Sequence, residues 1–133
     1  MNLGKRLWLI SALLCLTVVL AGCSSGLRIG WMGSDSHASM QAKYTHWSGS
    51  KQKPINLEKN EVLEFAYEAK VKKGSLVIEV LAPADEALLS VSLEQDTEDK
   101  LQLTAEEAGK YIVRVRGAGA GGSFSTSWTK IQP

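Results

Sequence analysis

Cys23 is the residue whose possible chemistry its neighbours define most sharply in this 133-residue sequence. It follows Leu20-Ala21-Gly22, and a thiol is the one side-chain nucleophile suited to forming a thioether. Elsewhere the chain carries fragments of reactive patterns and no complete one. Gly117-Ala118-Gly119-Ala120-Gly121-Gly122 satisfies G-x-G-x-x-G, but a dinucleotide site needs a helix after the glycines and an acidic residue about 20 positions on. Here a strand pattern follows and only 11 residues remain, so the segment is expected to be a flexible hairpin loop. His37 and His46 lack the spacing of a metal pair, and Asp96, Glu98 and Asp99 miss the calcium-loop pattern, which leaves them as a solvated turn. Serines are plentiful, yet no G-x-S-x-G elbow presents one as a nucleophile. The expectation is a non-enzyme with no catalytic residue, no metal and no cofactor.

The segment before Cys23 supplies the context for its thiol. Lys5 and Arg6 precede a run of 14 residues, 7–20, that is apolar except for Ser11 and Thr17. About 20 apolar residues are needed to span a bilayer as a helix, so this run reads as a secretory signal peptide. Leu20-Ala21-Gly22-Cys23 resembles the lipobox of bacterial lipoproteins. That resemblance implies cleavage between Gly22 and Cys23, with diacylglycerol on the cysteine sulfur and palmitate-type acyl chains holding the new N-terminus in a membrane. Two or three chains anchor stably where one does not. Ser24 rather than aspartate follows the cysteine, so in a cell with two membranes the outer one is the expected seat. The implied location is the extracytoplasmic face of a cell membrane.

Removing 22 of the 133 residues leaves 111, enough for one domain. Two of the 15 basic residues go with the signal, leaving 13 against 14 acidic ones; a net charge near −1 gives no reason to expect a nucleic-acid partner. Cys15 is lost and Cys23 consumed, so packing alone must hold the domain. Residues 23–40 are rich in Ser and Gly and read as the lipidated cysteine and a flexible tether. Leu27, Ile29, Trp31 and Met32 interrupt that composition; they dock on the domain, touch lipid or sit in an interface, with docking the expectation.

From residue 41 to residue 133 the apolar positions recur with period two, the mark of half-buried strands. Leu63, Phe65, Tyr67, Ala69 and Val71 share one face; Lys72-Lys73-Gly74 then turns the chain, and Leu76, Ile78 and Val80 continue until Pro83. Leu89, Val91 and Leu93 follow, then a polar turn at 96–99, then Leu101 and Leu103. Tyr111, Val113 and Val115 precede the glycine-rich segment, with Phe124, Thr126 and Trp128 after it. Residues 42–47 and 54–57 are less regular strands, and no mature segment has a helical period. Seven or eight short antiparallel strands predict an all-β domain, a single β-sandwich.

Glu107-Ala108-Gly109-Lys110-Tyr111 resembles the tyrosine corner of Greek-key sandwiches, in which the hydroxyl bonds back to nearby backbone. More widely, the Lys-Lys-Gly turn, the strand ending at Pro83, Ala108-Gly109-Lys110-Tyr111 and Gly122-Ser123-Phe124 with Trp128 look like small extracytoplasmic jelly-roll-like domains of bacterial lipoproteins, over residues 44–131. That likeness implies a fold and no site.

Two groups remain as binding candidates. Arg114 and Arg116 face outward beside a hydroxyl row, Ser123, Ser125, Ser127 and Thr129, if the last two strands pair as a hairpin; the face suits anionic wall polymer or lipid head groups, unless glutamates such as Glu64 and Glu68 neutralise it. Tyr44, Trp47 and Trp31 are candidates for stacking on sugar rings, unless they are core. The leading expectation is a non-catalytic, membrane-anchored envelope lipoprotein acting as a binding or scaffolding module, its partner an envelope protein or wall glycan. The alternative is binding of cell-wall glycan through exposed aromatics, and a hydrolase stands third.

Overall fold

The computed structural model describes residues 26–131. Seven antiparallel strands make up the fold: β1 (Leu27–Ile29), β2 (Met32–Ser36), β3 (Ser39–Leu57), β4 (Val62–Leu81), β5 (Ala87–Leu93), β6 (Thr97–Thr104) and β7 (Gly109–Ile131). Three of them are unusually long. A straight 20-residue strand would run about 65 Å, whereas a domain of about 100 residues has a radius of gyration near 13 Å. The long strands therefore have to bend.

They bend together. Pairing of β3 with β7 shifts register between Tyr44 and Trp47 and again between Trp47 and Gly49, and pairing of β4 with β7 shifts between Val71, Lys73 and Ser75. Each shift adds twist and curvature, as bulges do. On one side of this fold line the order is β2-β3-β7-β4-β6; on the other it is β1-β3-β7-β4-β5. The two half-sheets press their apolar faces together into a jelly-roll-like β-sandwich. Met40, Leu63, Phe65, Phe124, Thr126 and Trp128 come from the first half, and Leu76, Ile78, Val80, Tyr111, Val113 and Val115 from the second. Every inward aromatic expected from the alternation is buried: Phe65, Tyr67, Tyr111, Phe124 and Trp128.

Two expected turns are thus places where a strand crosses from one half-sheet to the other. Lys72-Lys73-Gly74 lies inside β4, and the glycine-rich segment lies inside β7 rather than forming a hairpin loop. A break in period-two patterning looks alike in either case. What distinguishes them is crowding: a Cβ at Gly122 would collide with the Lys70 carbonyl, and one at Gly117 would stand 2.6 Å from the Trp47 ring. Ser48 Oγ accepts the Gly119 amide across the bend at 2.9 Å, and Asp96 Oδ1 accepts the Val71 amide at 2.9 Å where β4 exchanges β6 for β5. Asp96 thus serves the bend, while Glu98 and Asp99 belong to β6 and not to a turn.

Two further features separate expectation from structure. The tyrosine corner is present, with the Tyr111 hydroxyl donating to the Glu107 carbonyl at 2.8 Å. The tether drawn through residue 40 gives way to sheet over the described part of that span: β1 and β2 run antiparallel along β3 from Leu27↔Ser48 to Ser36↔Ser39, so residues 27–36 belong to the domain drawn from 41. Backbone pairing at a sheet edge asks little of side chains, so Gly-Ser composition hides it.

Candidate functional site

The outer face of the first half-sheet carries the hydroxyl row. Alternation along β7 sends Phe124, Thr126 and Trp128 inward and leaves Ser123 and Ser125 half-buried and Ser127 exposed on the opposite side. Strand register extends each serine into a line across the sheet. Ser34, Gln41, Ser125, Glu68 and Glu98 stand opposite one another through β2, β3, β7, β4 and β6. At about 4.8 Å per strand, this line is about 19 Å long. A parallel line, Ser36, Ser39, Ser127, Ala66 and Lys100, lies on one side of it; Met32, Lys43, Ser123 and Lys70 lie on the other, next to the fold line.

Two cavities of about 380 and 470 Å³ open along these lines. Glu68 and Ser125 line both; Glu98, Lys100 and Ser127 extend the first, and Ser34, Gln41 and Lys43 the second. The groove offers alcohols, a carboxamide, carboxylates and ammonium groups, with Met32, Ala42 and Phe124 among its apolar lining. Glu68 and Glu98 face each other directly, an arrangement that costs roughly 0.2–1 kcal/mol in a sheet. Local costs of this kind concentrate where a surface serves a ligand. Among the described residues, no group of three or more His, Cys, Asp or Glu side chains is placed to hold a metal.

The aromatic candidates lie elsewhere and face inward. Tyr44 is 4% exposed, in phase with buried Met40 and Ala42, and Trp47 is fully buried because the bulge between them turns it to the same side. Trp31 is half-buried and covers them: its ring stacks on Tyr44 at 5.7 Å and 18°, and lies 5.1 Å from Trp47 and 6.4 Å from Phe124. The Arg28 guanidinium lies 4.1 Å from the Trp31 ring centroid. These aromatics form a core cluster at the fold line: of the two readings the sequence left open for Tyr44 and Trp47, core packing holds and exposed ring faces for sugars do not. Alternation with Met40 and Ala42 carries Tyr44 inward, but it could not show Trp47, since a bulge reverses the side to which successive residues point.

Burial of Tyr44 has a measurable consequence. Desolvation pushes its phenol up to about 12 from an ordinary value of 10.0. The folded state prefers the neutral form, so the unfolded chain loses its proton first and stability falls as pH rises from about 10 to about 12. Full ionisation costs on the order of 2–3 kcal/mol. Tyr44→Phe keeps the ring packing and should make that alkaline decline shallower, with neutral-pH stability changed by less than about 1.5 kcal/mol. Thermal melts between pH 8 and 12 check both statements. Tyr67, also raised by desolvation and by the neighbouring Asp99, accounts for part of the remaining decline.

Arg114 and Arg116 face outward as expected, but on the second half-sheet, across the sandwich from the serines. Both approach one oxygen of Glu79, at 3.4 Å from Arg114 Nε and 2.9 Å from Arg116 Nε. A glutamate does neutralise the pair; it is Glu79 of β4, not Glu64 or Glu68. Glu64 pairs with Lys100 at 2.6 Å. Gly22 and Cys23 lie outside the described residues. The groove was legible only as its serine row; Gln41 and Ser34 carried no sequence signal, because their place depends on the register of β2 and β3.

No family model matches the chain, and no curated protein matches it. Solved structures similar to it include the carbohydrate-binding module CBM6cm-2 from Cellvibrio mixtus lichenase 5A in complex with cellotriose, at 14% identity and TM-score 0.44 over 82% of this chain and 93% of that one. TmCBM61 in complex with beta-1,4-galactotriose is similar at 14% identity and TM-score 0.47, covering 77% and 68%. The C-terminal CBM6 of LamC from Zobellia galactanivorans follows at 14% identity and TM-score 0.44, covering 80% and 91%.

Proposed function

We propose that this chain is a non-catalytic, lipid-anchored module of the cell envelope that binds saccharide along the groove across β2, β3, β7, β4 and β6. The observation that carries the reading is the five-strand line Ser34, Gln41, Ser125, Glu68 and Glu98, which sets hydrogen-bonding groups at regular spacing over about 19 Å. A glycan chain presents hydroxyls at regular intervals, and carboxylate and carboxamide acceptors discriminate between their orientations. The anchor reading is supported by Leu20-Ala21-Gly22-Cys23 after a short apolar run, which favours an extracytoplasmic site and, in a two-membrane cell, the outer membrane. Recognition rests on hydrogen bonds and not on an aromatic platform, so affinity for any short saccharide is modest.

Affinity electrophoresis or calorimetry with peptidoglycan fragments and a panel of neutral and acidic oligosaccharides tests the groove. Gln41→Ala and Glu68→Ala should each weaken binding about five- to tenfold, the worth of about 1–1.5 kcal/mol per lost hydrogen bond. Both side chains are exposed, so melting temperatures should hold. Arg114→Ala and Arg116→Ala, on the opposite face, should bind as the unaltered chain does. Silence across the panel, or undiminished binding by the Gln41 and Glu68 variants, rejects the groove.

A further inference from the structure

We infer that the edge formed by β1 and β2 seats directly on the lipid surface, so that the domain rests against its membrane and the polar groove rises away from it. The inference depends on Cys23 carrying the lipid, as proposed above. Among the described residues the large apolar side chains that stand exposed are Leu27 at 52%, Ile29 at 51% and Met32 at 75%. All three fall within six positions of one edge, and three residues separate the first of them from Cys23. At no more than about 3.5 Å per residue, β1 begins within about 14 Å of the acylated residue.

Their direction is set by register. Arg28 stands opposite buried Trp47 and turns toward the aromatic cluster, so Leu27 and Ile29 point to the outer side. Met32 stands opposite exposed Lys43 on the outer side of the first half-sheet, at the β2 end of the groove next to the fold line. Met32 also borders a cavity of about 810 Å³, whose wall includes Lys43, Lys70, Lys72 and Lys73. Among the described residues none of these four lysines joins an ion pair. An apolar side chain bordered by cations, with Leu27 and Ile29 exposed along the same edge, matches an anionic membrane interface, where the apolar groups enter the acyl boundary and the ammonium groups meet phosphate. A soluble monomer gains nothing from such a patch. A lipid held within reach of it does.

Labelled full-length protein in vesicles decides the matter. Cys15 leaves with the signal and Cys23 is acylated, so Ile29→Cys, Met32→Cys and the control Glu106→Cys each bear one free thiol for an environment-sensitive fluorophore. Glu106 lies in the connection from β6 to β7, at the end remote from the fold line. In vesicles of phosphatidylethanolamine and phosphatidylglycerol containing doxyl-labelled chains, labels at 29 and 32 should be quenched at least threefold more than the label at 106. Lys72→Glu with Lys73→Glu should cut that quenching by half or more. Labels at 29 and 32 that stay as accessible to aqueous iodide as the one at 106 overturn the seating, and so does protection from iodide without quenching by doxyl lipid, which points to a protein cover. Mass spectrometry of the same samples reports the lipid on Cys23, so a failed anchor is distinguished from a failed seat.

Discussion

Gly122→Ala should lower stability by on the order of 3–5 kcal/mol, the joint cost of a left-handed backbone and an overpacked contact. The backbone there has φ of 137°, and the added methyl would meet the Lys70 carbonyl across the β4–β7 ladder. That carbonyl belongs to a neighbouring strand at the fold line and has no room to retreat. Gly119→Ala supplies the contrast. It also has positive φ, 56°, but its Cβ would find its nearest neighbour, the His46 ring, at 3.9 Å, so roughly 1–2 kcal/mol is expected. At about 4–8 °C per kcal/mol for a domain of this size, melting should fall by at least about 12 °C for Gly122→Ala and by no more than about two-thirds as much for Gly119→Ala. Equal melting of the two variants contradicts the account of the bend.

The second large effect concerns the anchor. Cys23→Ser removes the sulfur that the lipobox reading requires, so the variant should carry no lipid and accumulate as a precursor with its 22-residue signal still attached. Loss of two acyl chains is decisive, because each buried CH₂ is worth about 0.8 kcal/mol of membrane affinity. Electrophoretic mobility and mass spectrometry of cell fractions check this. Mature-sized Cys23→Ser in the membrane fraction would falsify the anchor and, with it, the seating of β1 on lipid.

Much of the fold can be read from alternation alone, since the inward positions Phe65, Tyr67, Tyr111, Val113, Phe124 and Trp128 are all core. Tyr111 shows why a short motif succeeds: its partner, Glu107, is four residues away, so sequence neighbours suffice. The fold line is the counter-example. Whether Lys72-Lys73-Gly74 reverses the chain or bends it depends on β7 running alongside, at a separation of more than 40 residues. The same ignorance put Arg114 and Arg116 beside the serines, from which the bend divides them. Trp47 was ambiguous for a local reason, a bulge after Tyr44 that no periodicity reveals. The groove lies between these extremes, since its serines follow from β7 alone while Gln41, Glu68 and Glu98 join them only once four other strands are in register.

Amide chemical-shift mapping with peptidoglycan fragments and acidic oligosaccharides tests the groove most directly. Shifts should cluster at Ser34, Gln41, Glu68, Glu98 and Ser125 and spare the face that holds Glu79, Arg114 and Arg116. Shifts centred on that opposite face, or none at saturating saccharide, contradict the proposal that this sheet surface receives a glycan.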